Sequence, residues 1–421
     1  MWATPVDDVL DAPSTRSHLE RLVRVWLGVP DRDVAMPRLP RELARLVLRL
    51  EEHERNERDP WGAWSVESSD NFRRGALREP EIDIWLERAR LQLPAETHCE
   101  PRWPEGRRFV VCLTHDVDVL SVESTPMQAF RYTRAGFAPG AAGKGDAIVR
   151  LARPAVRGAR MLRAGITRRP SLVNTLERSI DLEQAHDATA SYFFTVPPHA
   201  PRSRYDCVYA PQDRCLFRGR EHRVVDVIRA IADAGFDVGL HGGYAAASVP
   251  GALAEERATL ERATRLDIRT TRQHFLRWDV RWTPLYQEAA GLTADATMGF
   301  NFDVGFRAGT SLPFRLFDVA SRRQLDLLEV PLIVQDGAML GPIGLGLDLH
   351  RARPLGRRIF DAVSARGGVL TVLVHPDKLI HPEWLALYKW LLDYGLTQGA
   401  WMTSLRELCD WWRGREARIL G

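Results

Sequence analysis

Residues 109–118 read FVVCLTHDVD, and the rest of the chain can be organised around them. Phe109 to Leu113 are apolar, as in a strand buried within a sheet, and two acids then follow at a spacing of two. Alternation along a strand sends Asp116 and Asp118 to one side and His115 and Val117 to the other. Two carboxylates therefore meet at the C-terminal end of a strand. In βα architectures the loops at that end are free of packing duty and carry the chemistry. One carboxylate suits a metal ion, and the other, left free, suits taking a proton from an attacking water. The plainer reading is that Asp118 caps the following turn.

On either side of this segment the pattern differs. Residues 1–105 show helical spacing, with Leu19, Leu22, Val23, Val25 and Trp26 followed by Leu43, Leu46, Val47 and Leu48, and then the loop DPWGAWSVESSD at 59–70. This predicts a mostly helical N-terminal cap. Across 106–421, short β-rich runs alternate with amphipathic stretches: ATASYFFTV (188–196), VVDVIRAIADAG (224–235), FDVGLH (236–241), LLEVPLIVQD (327–336), PLGRRIFDAVSARG (354–367) and GVLTVLVH (368–375). That alternation predicts an α/β fold with a mostly parallel sheet, open or closed into a barrel. An insertion at about 121–170 is the most basic segment. Its Arg150, Arg153, Arg157, Arg160 and Arg163 would form one stripe of a helix, either a solvated face or, through 145–169, a contact for anionic lipid.

Three of the β-rich runs end in histidine. FDVGLHGGYAA presents His241 before two glycines, which permit a tight turn with close backbone approach; LTVLVHPDK ends in His375; TTRQHFLRW presents His274. His18, His53, His186 and His222 lie in polar helical or loop contexts instead. One aspartate with two imidazoles is a suitable set for Zn2+, Co2+ or another divalent transition metal, leaving positions open for water and substrate.

Composition narrows the field further. The 58 Lys and Arg against 55 Asp and Glu leave a formal charge of +3, too little to suggest a nucleic-acid partner. Five cysteines (Cys99, Cys112, Cys207, Cys215, Cys409) without a CxxC pair match neither a disulfide framework nor a thiolate zinc site, and fit a reducing compartment. Asp7, Asp8 and Asp11 interrupt any secretory apolar stretch, and no long charge-free apolar window occurs. A cytoplasmic protein, peripheral to a membrane at most, is expected.

THDVD, GLH and LVHP, in that order, resemble the polysaccharide deacetylase family, carbohydrate esterases with a nodulation-deacetylase-type domain. The likeness spans roughly residues 105–415 and is strongest toward a branch with an Asp-x-Asp first motif and with RQHFLR and GFRAGT stretches. It implies a distorted (β/α) barrel of about seven strands behind the helical N-terminal extension. Under it, Asp116 matches the catalytic base, Asp118 the aspartate metal ligand, His241 the first histidine ligand and His375 the general acid. Arg272 stands where the family's active-site arginine orients the base, with Arg307 in GFRAGTSLPF as the competing position. Asp336 corresponds to a residue tuning the late histidine. Arg307, Tyr244 and Asp336 make up the substrate-facing set.

One departure matters. Ala245 stands where the family has its second metal histidine. Either another side chain supplies that ligand, His274 being the first choice, or His274 binds substrate or serves structure, or the site is metal-free, as in cyclic amidohydrolases of related fold. The leading expectation is hydrolysis of an N-acetyl group on an amino sugar carried by a nucleotide- or lipid-linked glycan precursor, with a backbone N–H of GGYAA holding the oxyanion. The alternatives are a cyclic amide or ureide hydrolase and a non-catalytic carbohydrate-binding relative. Trp61, Trp64 and Trp278 are candidates for stacking on sugar rings.

Overall fold

The computed structural model describes residues 6–120, 173–200, 202–207 and 209–421. The basic insertion, with its arginine stripe and the expected lipid contact at 145–169, lies outside the described residues. The strands, in chain order, are β1 (Val110–Asp116), β2 (Ser191–Phe194), β3 (Arg214–Phe217), β4 (Arg220–Arg223), β5 (Asp237–Gly242), β6 (Thr270–Gln273), β7 (Ala294–Asp295), β8 (Phe314–Asp318), β9 (Arg323–Glu329), β10 (Val334–Gln335), β11 (Val369–Leu373) and β12 (Trp401–Thr403).

Ten of these form one curled sheet in the order β10-β11-β1-β2-β5-β6-β7-β9-β8, with β12 added beside β1. Every neighbour in it is parallel except the β8–β9 hairpin. Among the described residues no ladder joins β10 to β8, so the barrel is open. The strand number exceeds the expected seven because β7 and β10 have two residues each and β12 three, too short to leave a period in the sequence. LLEVPLIVQD, which reads as one strand, is split into the end of β9 and β10, with Pro331 in the gap where a ladder N–H would be needed.

β1 is the central element. It pairs with β11 along one edge; along the other, β12 sits beside Val110–Cys112 and β2 beside Thr114–Asp116. Its period-two pattern divides two cores. Val111 and Leu113 face one built with Tyr192, Phe194, Val238 and Leu240 and covered by the helices Val224–Asp233, Ala252–Thr264 and Leu349–Arg366. Val110 and Cys112 face the other, which the N-terminal residues Leu22, Trp26 and Leu46 and the C-terminal Leu405, Leu408 and Trp412 complete. The N-terminal helices thus share a core with the inner face of the sheet, and Trp26 Nε1 donates to the Pro313 carbonyl at 3.0 Å.

Both faces of the sheet are therefore dry along most of each strand. Along β1 the inward positions change from Val110 and Cys112 to Asp116 near the C-terminal end, and His241 on β5 and Arg272 on β6 reach the same side. The registers Asp116↔Phe193, Phe193↔Gly239 and His241↔Arg272 bring these strand ends to one rim. Gly239 is required there, since a Cβ at that position would lie 2.5 Å from the Phe193 ring.

Candidate active site and metal centre

Asp116 is the last residue of β1 and is 3% exposed. Its Oδ1 lies 3.4 Å from Arg272 Nε, and Arg272 is itself fully buried, donating from Nη2 to Thr114 Oγ1 at 2.7 Å with its guanidinium 5.3 Å above the Phe193 ring. Asp116 Oδ1 is enclosed and has no hydrogen bond among the described residues. The carboxylate lines the cleft, its Oδ1 turned to the guanidinium and its Oδ2 3.9 Å from His241 Nε2.

Asp118, one step further, sits among imidazoles. His241 Nε2 is 3.2 Å and His274 Nδ1 3.4 Å from Asp118 Oδ1, and the two ring nitrogens are 2.7 Å apart. The far nitrogen of each ring is held by a backbone carbonyl: His241 Nδ1 donates to Arg272 O at 3.0 Å and His274 Nε2 to Tyr205 O at 2.8 Å. Those bonds set the tautomers and leave two lone pairs facing each other beside a carboxylate. Such an arrangement is repulsive unless a proton or a cation is shared. Burial and three histidines compete at Asp118: burial pushes its carboxyl up, but His274, His241 and His375 prevail and hold it far below the carboxylate range. Burial would lower both imidazoles; Asp116 and Asp118 overcome it at His241, which is raised, whereas His274 stays lowered.

Cys207 completes a four-residue cluster with Asp118, His241 and His274, the ligand atoms lying within 4.8 Å of one another. Nothing in the sequence marks this cysteine, which stands in the loop between β2 and β3. Ala245, half-buried in the turn after β5, contributes no donor, and His274, the first residue of the turn that follows β6, stands beside His241.

His375 faces the cluster from the end of β11. Its Nε2 lies 3.7 Å from Asp118 Oδ2, and Asp336 grips its other side, accepting from Nδ1 and from the backbone N–H, each at 2.7 Å. Burial opposes the imidazolium, but Asp336, helped by Asp118 and Asp116, lifts its pKa to about 10. His375 is thus charged and able to give a proton at neutral pH.

These groups open into a cleft of about 1040 Å³. One wall is aromatic. Trp61, from the loop after the N-terminal helices, stacks on Phe302 at 4.8 Å and tilts against Phe275 at 5.2 Å. Asp59 ties that loop down by accepting from the Trp61 and Ala63 amides. Phe275 and Leu276, directly after His274, are consecutive non-glycine residues with φ of 56° and 52°, a strain of about 1–2 kcal/mol per residue of the kind found at functional turns. The opposite wall is apolar, with Leu340, Pro342, Ile343 and Trp384.

Of the residues picked out in the sequence, Asp116, Asp118, His241, Arg272, His274, Asp336 and His375 come together at this rim. Tyr244 stands at its border: its ring packs on Tyr205 at 4.8 Å and its hydroxyl donates to the Trp61 carbonyl. Arg307 is elsewhere, fully buried and bidentate to Glu52 at 2.9 and 2.7 Å, joining the N-terminal helices to the sheet. Trp64 and Trp278 are buried as well, which leaves Trp61 as the cleft's tryptophan from that set. The GGYAA turn does not offer its second and third amides, since Gly243 N–H is taken by Glu256 and Tyr244 N–H by Asp206.

No protein-family model matches the chain, and no curated protein sequence matches it. Among solved structures, the chain is similar to a protein assigned as a polysaccharide deacetylase from Mycobacterium smegmatis, at 16% identity over 76% of this chain and 94% of that one, with a TM-score of 0.49. An allantoinase shows 15% identity over 76% and 95%, with a TM-score of 0.48. A protein from Bordetella bronchiseptica, assigned as a polysaccharide deacetylase of O-antigen biosynthesis, shows 15% identity over 71% and 86%, with a TM-score of 0.32.

Proposed function

We propose that this chain is a metal-assisted amide hydrolase of the polysaccharide deacetylase family that removes an N-acetyl group from an amino sugar. The observation carrying the reading is the convergence of Asp118 Oδ1, His241 Nε2 and His274 Nδ1, with both imidazole lone pairs aimed inward by backbone carbonyls. This donor set fits a divalent transition ion, Zn2+ or Co2+ before a hard cation. Such an ion would supply Lewis-acid polarisation of the amide carbonyl.

The remaining work falls to the protein. Asp116, in the cleft lining, accepts the proton of the attacking water, with Arg272 beside its Oδ1 keeping the carboxylate in place. His375 protonates the departing amine, and Asp336 holds its ring so that Nε2 faces the cleft. Trp61 and Phe275 offer faces for a sugar ring, and the apolar wall opposite suits the carrier of a lipid-linked or nucleotide-linked sugar better than a bare monosaccharide. Five cysteines free of disulfides favour the cytoplasm, where such precursors are assembled.

Purified protein, loaded with Zn2+ or Co2+, should release acetate from N-acetylated amino-sugar conjugates. Absence of bound metal after reconstitution, with turnover of cyclic imides instead, would replace this reading by that of a cyclic amide hydrolase.

A further inference from the structure

Position 245, four residues beyond His241, is alanine and offers no donor atom, yet the cluster around Asp118 does not stop at three residues. Cys207 Sγ lies 3.8 Å from Asp118 Oδ1, and one ligand atom from each of Asp118, Cys207, His241 and His274 falls within 4.8 Å of the others. We propose that Cys207 is a ligand of the metal centre, making it an Asp/His/His/Cys site. This rests on the metal-assisted reading above and adds a soft donor to it.

The loop that carries Cys207 is pinned on both sides by the segments that carry the other ligands. Two residues before it, the Tyr205 carbonyl accepts from His274 Nε2 at 2.8 Å. Two residues after it, the Tyr209 hydroxyl donates to the carbonyl of Val117, the residue between the two aspartates, at 2.6 Å, and itself accepts from the Thr195 amide. Asp206, next to Cys207, accepts from the amides of Ser203 and of Tyr244 in the turn after His241. The thiol is therefore held relative to β1, β5 and β6 at once, which is what a ligand on a loop needs.

The other cysteines have different surroundings. Cys112, Cys215 and Cys409 are buried in the apolar cores, and Cys99 donates to the Thr97 carbonyl. Among the described cysteines, Cys207 is the one that meets a carboxylate and an imidazole.

Coordination replaces the S–H bond by a sulfur–metal bond, and the proton leaves to solvent. A thiolate beside two imidazoles and one carboxylate biases the site toward Zn2+, Co2+ or Fe2+ and against Mg2+, Ca2+ and Mn2+. It also neutralises one more positive charge than the three-residue set.

The test is Co2+ substitution of the full chain, compared with Cys207→Ser, Cys207→Ala and Cys215→Ser as a control, each checked for folding by circular dichroism. Wild type and Cys215→Ser should show a sulfur-to-cobalt charge-transfer band in the near ultraviolet, and both Cys207 variants should lose it. Zn2+ titrations in two buffers should release about one more proton from wild type than from Cys207→Ala, with affinity about ten-fold or more weaker in the variant. Visible cobalt bands without the sulfur band, and equal affinities, would overturn the role of Cys207 while leaving the three-residue centre standing. Wild type that binds no Co2+ or Zn2+ would overturn both readings.

Discussion

Asp336 holds His375 with both carboxylate oxygens, one on the ring Nδ1 and one on the backbone N–H, each at 2.7 Å. The pair fixes the ring's tautomer and its direction in one contact, and it is the chief reason the imidazole pKa rises to about 10 despite burial. Because the folded value is raised, the pair's contribution to stability is fully present below pH 6.5 and is lost as pH rises toward 10. In Asp336→Asn the His375 titration, followed by NMR of its ring proton, should move down by at least about one unit, and the alkaline limb of the pH–rate profile should move with it. An unchanged His375 titration would show that Asp336 does not govern this proton.

The two aspartates of β1 should separate cleanly. Asp116→Asn is expected to keep metal affinity and lose turnover by about a hundred- to ten-thousand-fold, since Asp116 lines the cleft and is not among the clustered ligands. Asp118→Asn should lose metal and turnover together. Metal content by mass spectrometry beside acetate release reads both; near-normal turnover of Asp116→Asn would remove it from the role of base.

His18 gives a pH effect far from the site. It is buried, stacks on Phe317 at 4.7 Å and bonds Gln324 through Nδ1, and burial lowers its pKa to about 4. A lowered histidine must charge on acidification, so the native state is favoured above pH 6.5 and loses about 3 kcal/mol as pH falls through 4. Urea melts at pH 7 and pH 4 should show this loss shrink in His18→Gln. Parallel losses in variant and wild type would place the acid sensitivity elsewhere.

Glu52 links the N-terminal helices to the sheet. It receives Arg307 through two hydrogen bonds and Arg49 at 2.8 Å, all three side chains being buried. Glu52→Ala leaves the buried Arg307 without its carboxylate, while Arg49 keeps Glu51, and should destabilise the fold by about 3–5 kcal/mol, measured as a shift in the chemical-denaturation midpoint. Arg307→Lys, which keeps charge and loses the fork, should cost less and should not change substrate KM directly if Arg307 is remote from the cleft.

Trp61 is the N-terminal region's contribution to the cleft. Trp61→Ala should lower kcat/KM by about ten-fold, mainly through KM, because it removes a binding face and leaves the acid, base and ligand set untouched. A loss confined to kcat would instead mean that the loop at 59–64 positions the reacting groups.

Local pattern carried a good deal of this. An apolar strand that turns acidic at its end, and others that end in histidine, follow from period-two alternation and from the placement of loops at the strands' C-terminal ends, so Asp116, Asp118, His241, His274 and His375 were readable from residue type and spacing. The partner of His375 came through the family resemblance, since an aspartate closing an apolar run does not by itself name the histidine it meets. Strand count was not, because two-residue strands such as β7 and β10 exist only as hydrogen bonds to neighbours and leave no periodicity. Arg307 and Cys207 mark the same boundary from opposite sides. Arginine in a polar motif looks like a substrate contact until Glu52, 255 positions away, is seen to neutralise it; a cysteine in an unpatterned loop looks inert until folding brings it against Asp118, 89 positions away. Secondary structure and the direction of side chains along a strand depend on near neighbours and can be written in the local chain. Which charges neutralise each other, and which donors share a cavity, depends on pairings between distant segments that come into existence only when the sheet curls and the loops dock upon it.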